Sequence, residues 1–133
     1  MTPPYDSRAD TLAHRELINT LLVKVASELL RRGFFHDESK LVDALDVDSD
    51  EYRDALKQMG TALQHHYREN RHHPEFHENG INGMTLVDLI EMVCDWKASA
   101  ERKNETVNLE WARKRFGIDD QLAEIIANTL KTF

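Results

Sequence analysis

The sequence predicts an all-helical protein that folds as a single compact domain of five or six helices. Almost every periodic segment repeats its apolar residues at intervals of three and four, which is the spacing of one helix face. No run with the two-residue period of a strand reaches a useful length. The chain of 133 residues is long enough for one core and short for two.

The first predicted helix spans residues 11–32. Ile18, Leu21 and Val25 recur on one stripe, and Gly33 follows as a stop signal. We expect residues 1–9 to form a flexible N-terminal segment. The opening stretch MTPPYDSRAD lacks the apolar core of a signal peptide.

Two further helices are predicted between Asp37 and Pro74. Asp37 is a candidate N-cap for a short helix that ends near Asp46. Asp48 begins a longer helix, because Glu51 three residues later completes a capping-box pattern. Pro74 should end that helix at the preceding residue or earlier, since proline disfavours helical geometry in the residue before it.

Three helices are predicted in the C-terminal part. Thr85, with a carboxylate three residues later, opens a helix over 86–103. Two shorter helices follow at 109–116 and 120–131, and Gly117 closes the first of them.

Composition and charge argue against some classes of function. The chain has 24 acidic and 17 basic residues, a net charge of −7, so its surface repels nucleic-acid backbones and anionic membranes. A small anion can still bind where a pocket carries local positive charge. Cys94 is the single cysteine, which excludes an intramolecular disulfide and indicates a reducing compartment. No window reaches roughly 18 apolar residues, so we expect a cytoplasmic protein without a membrane span.

Histidines are concentrated in one stretch. Five of the seven lie within residues 65–77, HHYRENRHHPEFH. His14 lies four residues before Ile18, and His66 lies three after Leu63, so both are directed to apolar helix faces. Each alone is explained as a hydrogen-bonded core residue. Together they are harder to explain, because burying several polar groups without partners costs several kcal/mol each.

A bound metal ion would remove that cost. The adjacent pair His36 and Asp37 can reach one ion if the backbone turns there, as it does where a loop meets a helix. Asp88 and Asp95 share a stripe of the 86–103 helix beside its core face, so they add carboxylates to the set of inward polar groups. Imidazole nitrogen and carboxylate oxygen suit Zn, Mn, Fe, Co and Ni alike, so the residues do not identify the metal.

The pattern H14…H36-D37-x-x-K40…D95 resembles the HD-domain phosphohydrolase superfamily. That superfamily has an all-helical fold whose metal is held by a histidine, an adjacent His-Asp pair and a distant aspartate. Over nearly the whole chain the sequence also resembles DUF5662, a phage and bacterial family of unknown function. The matching stretches are HDESKL, HHYRENRHHPEFH, MTLVDLIEMVCDW and RFGI. The resemblance implies one HD-like helical domain over residues 1–133.

The same resemblance implies a set of metal ligands. The first metal would be held by His14, His36, Asp37 and Asp95. Asp95 is preferred to Asp88 because CDWKASAER resembles the small-residue context of the superfamily's last aspartate. Some members bind a second metal through two further histidines. Here His66 and one of His72 or His73 would serve, and we assign His72 to metal.

The remaining polar residues of the stretch are expected to contact substrate or solvent. Asp37, Lys40 and His65 are the predicted catalytic residues. Arg68, Asn70, Arg71 and His73 are the predicted substrate-binding residues, and the arginines would form a bidentate phosphate clamp. Glu69 and Glu75 would face solvent or orient a ligand histidine. His77 would belong to a loop surface, and Cys94 to the core.

The predicted function is metal-dependent hydrolysis of a small phosphorylated molecule, with a nucleotide as the expected substrate. The cofactor would be one or two divalent ions per chain, from Mn, Fe, Co, Ni or Zn. Two alternatives remain at this stage: a di-iron oxygenase on the same scaffold, and a non-enzymatic phage binding module with a structural metal. Trp96, Trp111 and Phe116 would fill the core or an interface, and a homodimer is one possible assembly.

Overall fold

The computed structural model describes residues 2–37 and 70–133, and every regular element within these residues is helical. Within these residues, two 3-10 helices, Pro74–Phe76 and Gly80–Gly83, accompany four α-helices. The α-helices are α1 (Arg8–Phe35), α2 (Leu86–Arg102), α3 (Leu109–Phe116) and α4 (Asp120–Leu130). The all-helical class is therefore confirmed for the described residues. The helices predicted between Asp37 and Asn70 lie outside them, and the total of five or six helices stays a prediction.

The described chain divides into two compact units, Met1–Phe34 and Phe35–Phe133. The first unit contains nearly all of α1, and the second contains α2, α3, α4 and both 3-10 helices. The interpretation as one domain stays a prediction. No described helix is long and apolar enough to cross a membrane.

Helix α1 is longer than the sequence indicated. It begins at Arg8 rather than Thr11, and it continues through Gly33 to Phe35, so the predicted stop at Gly33 is wrong. A single glycine costs a helix only about 1 kcal/mol relative to alanine, and the favourable residues of a helix this long can offset that cost. None of the residues of α1 is buried, and His14 is exposed rather than directed into a core.

Capping side chains and a glycine in the left-handed conformation define the ends of the described helices in the second unit. Thr85 caps α2 in a capping box, since its side chain accepts from the Asp88 amide while the Asp88 side chain accepts from the Thr85 amide. The side chain of Asn108 caps α3, and Gly117 ends that helix in the left-handed conformation, with φ of 67°. The predicted starts of α2, α3 and α4 are confirmed.

Among the described residues of the second unit, a buried apolar cluster lies between α2 and α4. Its buried members are Val93, Ile118, Ala123 and Ile126. Trp96 of α2 packs at the edge of this cluster and stacks on Phe116, with ring centroids 5.9 Å apart.

The apolar face predicted for α2 is only partly buried. Val93 is in the core, but Leu86 is 78% exposed and Ile90 is also exposed. Both line a groove between α2 and α4 that is also lined by Cys94. Cys94 is exposed in this groove, so its predicted place in the core is wrong. It follows Val93 by one residue, which turns it about 100° away from the buried face.

Candidate metal centre

A sharp turn after α1 sets His36 and Asp37 side by side. Asp37 adopts the left-handed conformation, with φ of 54°, immediately after the helix ends. Aspartate is one of the few residues other than glycine that are enriched there. The turn directs both side chains to the same place, and Nε2 of His36 lies 3.5 Å from Oδ2 of Asp37.

The segment before the first 3-10 helix is held to the start of α2 by a buried carboxylate. Asp88 is fully buried and accepts two bonds from Arg71, at 3.2 and 3.1 Å. It also accepts from the Thr85 amide at 2.9 Å. His77 closes the arrangement, with Nε2 2.8 Å from the Arg71 carbonyl oxygen. We call these four residues the Arg71–Asp88 anchor. It holds the residue next to Arg71, His72, in a buried position that is only 1% exposed.

Glu91 and Asp95 lie one and two turns further along the same face of α2, since both continue the i, i+3, i+7 spacing from Asp88. Oε2 of Glu91 lies 2.8 Å from Nδ1 of His36 and 2.8 Å from Nδ1 of His72. A carboxylate only accepts, so each imidazole donates its Nδ1–H to this one oxygen. Both rings therefore present Nε2 on the side away from Glu91.

The two Nε2 atoms face two carboxylates at longer distances. His36 Nε2 lies 3.6 Å from Oδ1 of Asp95. His72 Nε2 lies 3.2 Å from Oδ1 of Asp37 and 3.6 Å from Oδ2 of Asp95. The rings of His36 and His72 are adjacent, with centroids 4.3 Å apart. We call His36, Asp37, His72, Glu91 and Asp95 the histidine–carboxylate cluster.

These separations fit the donor set of a metal ion. An ion that is bonded to nitrogen and oxygen at about 2.0–2.2 Å keeps its donor atoms roughly 3 to 4.5 Å apart. The ligand atoms of His36, His72 and Asp95 all lie within 4.8 Å of one another. Oδ1 of Asp37 and Nε2 of His72 are both buried, which is where a shared cation is most strongly attracted.

A second, overlapping group consists of Asp37, His72 and His73, whose ligand atoms also lie within 4.8 Å of one another. The rings of His72 and His73 are 4.1 Å apart. His72 belongs to both groups, and its Nδ1 is engaged by Glu91. Its remaining nitrogen can bind one ion, so among the described residues the two groups are alternatives for the same ion.

The charges of the cluster shift two pKa values in opposite directions. Asp95, which faces Nε2, and Glu91, which is hydrogen-bonded to Nδ1, together raise the pKa of His36 to about 10. The Glu91 contact at 2.8 Å is the true hydrogen bond, whereas Asp95 at 3.6 Å acts through its charge. Burial by itself raises the pKa of Asp95, but His36 and the neighbouring imidazoles outweigh it and lower that pKa overall.

Four of the six predicted metal ligands, His36, Asp37, His72 and Asp95, belong to the histidine–carboxylate cluster. Asp88, the alternative to Asp95, belongs to the Arg71–Asp88 anchor. His14 lies exposed on α1 in the first unit, and its role as a ligand stays a prediction. The remaining predicted residues that lie outside the described part of the chain are Lys40, His65, His66, Arg68 and Glu69.

Several residues of the histidine-rich stretch have contacts that differ from those predicted. Arg71 engages Asp88 through both Nε and Nη2, and its role as a phosphate clamp stays a prediction, as does substrate binding by Asn70. The side chain of His77 is only 7% exposed, so it is not a surface residue. Glu75 accepts from Arg115 at 3.2 Å and does not orient a ligand through any contact seen among the described residues.

Glu91 was not identified from the sequence. The signal was present, because Glu91 lies four residues before Asp95 and hence on the same helix face. Glutamates are common on helices, so spacing alone does not separate one that faces imidazoles from one that faces solvent.

Comparison with known proteins gives a family and nothing further. A family model described as "Family of unknown function (DUF5662)" matches residues 42–132. This range includes His72, Glu91 and Asp95, whereas His36 and Asp37 precede it. The comparison with curated proteins and the comparison with solved structures each return no match.

Proposed function

The chain belongs to the family DUF5662, and we propose that it is a metal-dependent phosphohydrolase that acts on a small phosphorylated molecule, with a nucleotide as the expected class. One observation carries the proposal. The two Nδ1 atoms make hydrogen bonds of 2.8 Å to Glu91, while the two Nε2 atoms face Asp37 and Asp95 at 3.2 to 3.6 Å. All of these Nε2–oxygen distances lie in the range of roughly 3 to 4.5 Å that separates two ligand atoms of one ion, and those of 3.6 Å are longer than ordinary hydrogen bonds.

The proposed ligands are His36, Asp37, His72 and Asp95. A divalent ion held by these residues would supply Lewis-acid chemistry, because it would polarise a phosphoryl oxygen and make a coordinated water more acidic. Two imidazoles and two carboxylates are a donor set for Mn, Fe, Co, Ni or Zn. The order of His36-Asp37 and Asp95 along the chain resembles the HD-domain pattern, which supports hydrolysis of a phosphate ester as the reaction.

Charge supports a role for a cation in binding a phosphate. The cluster has three carboxylates against two imidazoles, so by itself it repels an anion. Arg71, the nearest described guanidinium along the chain, is directed to Asp88. Considering the described residues alone, the metal would therefore be the source of attraction for a phosphorylated substrate. The half-buried ring of His73, which lies 4.1 Å from the His72 ring at an angle of 43°, is the proposed contact for the substrate.

The experiment is a metal and substrate screen on the purified full chain. The protein is loaded separately with Mn²⁺, Fe²⁺, Co²⁺, Ni²⁺ or Zn²⁺, and phosphate release is measured from nucleoside mono-, di- and triphosphates. We expect one metal to support turnover, and we expect the Asp95→Ala variant to lose both the metal and the activity. Glu101→Gln, an exposed substitution on the same helix, is the matched control.

Other outcomes separate the alternatives. Uptake of about two irons per chain with oxygen consumption would replace the phosphohydrolase with a di-iron oxygenase. Stoichiometric metal without turnover of any phosphorylated compound would support a binding module that contains a structural metal. Absence of metal binding by the folded wild-type protein would overturn the proposal.

A further inference from the structure

We propose that Glu91 is a positioning residue that aligns both imidazole ligands through a single carboxylate oxygen. This inference rests on the proposed metal site and deepens it. Oε2 of Glu91 lies 2.8 Å from Nδ1 of His36 and the same distance from Nδ1 of His72. One acceptor thereby sets the orientation of two rings that come from different parts of the chain.

The shared oxygen determines which nitrogen each ring offers to a metal. A carboxylate has no proton to donate, so the hydrogen of each contact resides on Nδ1. With Nδ1 protonated, a neutral imidazole carries its lone pair on Nε2. Both Nε2 atoms point to Asp37 and Asp95, the other proposed ligands. Glu91 therefore specifies binding through Nε2 at both histidines.

The surroundings of Glu91 strengthen this effect. Its side chain is only 10% exposed, and hydrogen bonds to a charged acceptor gain strength when water is excluded. It lies one helical turn before Asp95, so one rigid helix supplies both a ligand and the support for two others. A negative charge beside Nδ1 also makes the unprotonated Nε2 of the same imidazole a stronger ligand for a cation.

The test compares the affinity of the full-length chain for Zn²⁺ in the wild type and in Glu91→Gln, measured by competition with a chelating dye. The amide of glutamine is neutral and cannot accept from both rings with equal strength. We expect the affinity to fall about 10- to 100-fold, the usual effect of losing a residue that supports metal ligands. Glu101→Gln makes the same change at an exposed position of the same helix and should leave the affinity unchanged.

A second readout reports the position of the hydrogens directly. In the Zn²⁺-loaded wild type, nitrogen-15 NMR should show that His36 and His72 each carry a slowly exchanging proton on Nδ1. In Glu91→Gln at least one of these protons should exchange quickly or move to Nε2. A residue that merely stabilises α2 would not change the tautomers.

The outcomes distinguish this inference from the proposed function. Unchanged affinity and tautomers in Glu91→Gln, with normal Zn²⁺ binding by the wild type, would overturn the role of Glu91 alone. Failure of the wild type to bind any metal would overturn the proposed function and this inference with it. If Glu91→Gln does not fold, Glu91→Asp replaces it. The shorter side chain cannot reach both rings, so affinity equal to wild type there would also overturn the inference.

Discussion

The polar face of α2 carries two groups of carboxylates that are partnered in different ways. At its start, Asp88 is fully buried and is matched by the guanidinium of Arg71 and by a backbone amide. One to two turns later, Glu91 and Asp95 are surrounded by imidazoles. A guanidinium is always charged, so the Arg71–Asp88 anchor is complete without an ion. Imidazoles can be neutral, so the histidine–carboxylate cluster can exchange protons for a cation. We therefore expect the anchor to stabilise the fold and the cluster to bind a metal ion.

The anchor and the cluster are connected by two adjacent residues of the chain. Arg71 in the anchor is followed immediately by His72 in the cluster. The bidentate pair holds the backbone so that His72 is buried beside Glu91. This division of roles can be tested by substitutions that affect one group and spare the other.

The largest expected effect is on metal affinity in His72→Ala. Removing a ligand should weaken binding by at least about 100-fold, which corresponds to about 2.7 kcal/mol. His73→Ala is the matched control, because the neighbouring ring belongs only to the alternative group with Asp37. We expect that variant to change affinity by less than about tenfold. Isothermal titration with Zn²⁺ measures both. The reverse order of effects would show that the ion is held by the group that contains His73.

The second largest expected effect is a loss of stability in the Asp88→Ala variant. The free energy of unfolding of the metal-free protein should fall by about 2 kcal/mol, of which about 1 comes from the lost acceptor for the Thr85 amide and the rest from the bonds to a half-exposed arginine. Asp119→Ala is the control, since Asp119 caps α4 and accepts from the Leu122 amide without an arginine partner. That variant should lose about 1 kcal/mol. Equal losses in urea unfolding would mean that Arg71 contributes nothing.

The boundaries of α2, α3 and α4 were predictable because residues close to each helix end determine where it begins or ends. Thr85 with Asp88, and Gly117 after α3, are signals within one turn of the helix end that they define. Gly33 was misread for the same reason, because a local stop signal was weighed without the length of α1. Cys94 was misplaced because helical spacing shows which residues share a face but not which face is covered.

The candidate site was predictable only where neighbours in sequence are neighbours in space. His36 and Asp37 are adjacent, and the turn that joins them was expected. The pairing of Arg71 with Asp88 spans 17 residues, and the contact of His36 with Glu91 spans 55. No local pattern records such pairings, so the sequence did not indicate the contact of Arg71 with Asp88 or the place of Glu91 beside the two imidazoles.

A smaller effect should appear in the pH dependence of the metal-free protein. The pKa of His36 is raised from 6.5 to about 10, so protonated His36 stabilises the folded state. This contribution is fully present below about pH 6.5 and is lost as the pH rises through about 10. In the presence of a chelator, the stability difference between wild type and His36→Gln should be about 1 kcal/mol near pH 6, after allowance for solvent screening, and should shrink towards pH 10. A difference that grows with pH would contradict the arrangement around His36.

The smallest expected effect is on the alkylation rate of Cys94. This residue lies outside the histidine–carboxylate cluster, but its thiol is influenced by the charge of Glu91. Burial, and then the negative charge of Glu91, raise the pKa of the Cys94 thiol. Because the thiolate is the reactive form, Glu91→Gln should speed alkylation by iodoacetamide at pH 8, by about twofold. Asp88→Asn is the control: Asp88 lies six residues before Cys94 and is not a cause of its raised pKa, so the rate should stay unchanged. Equal rates in all three proteins would show that the charge of Glu91 does not act on the thiol, and the contrast between the two ends of α2 would then be one of geometry and not of charge.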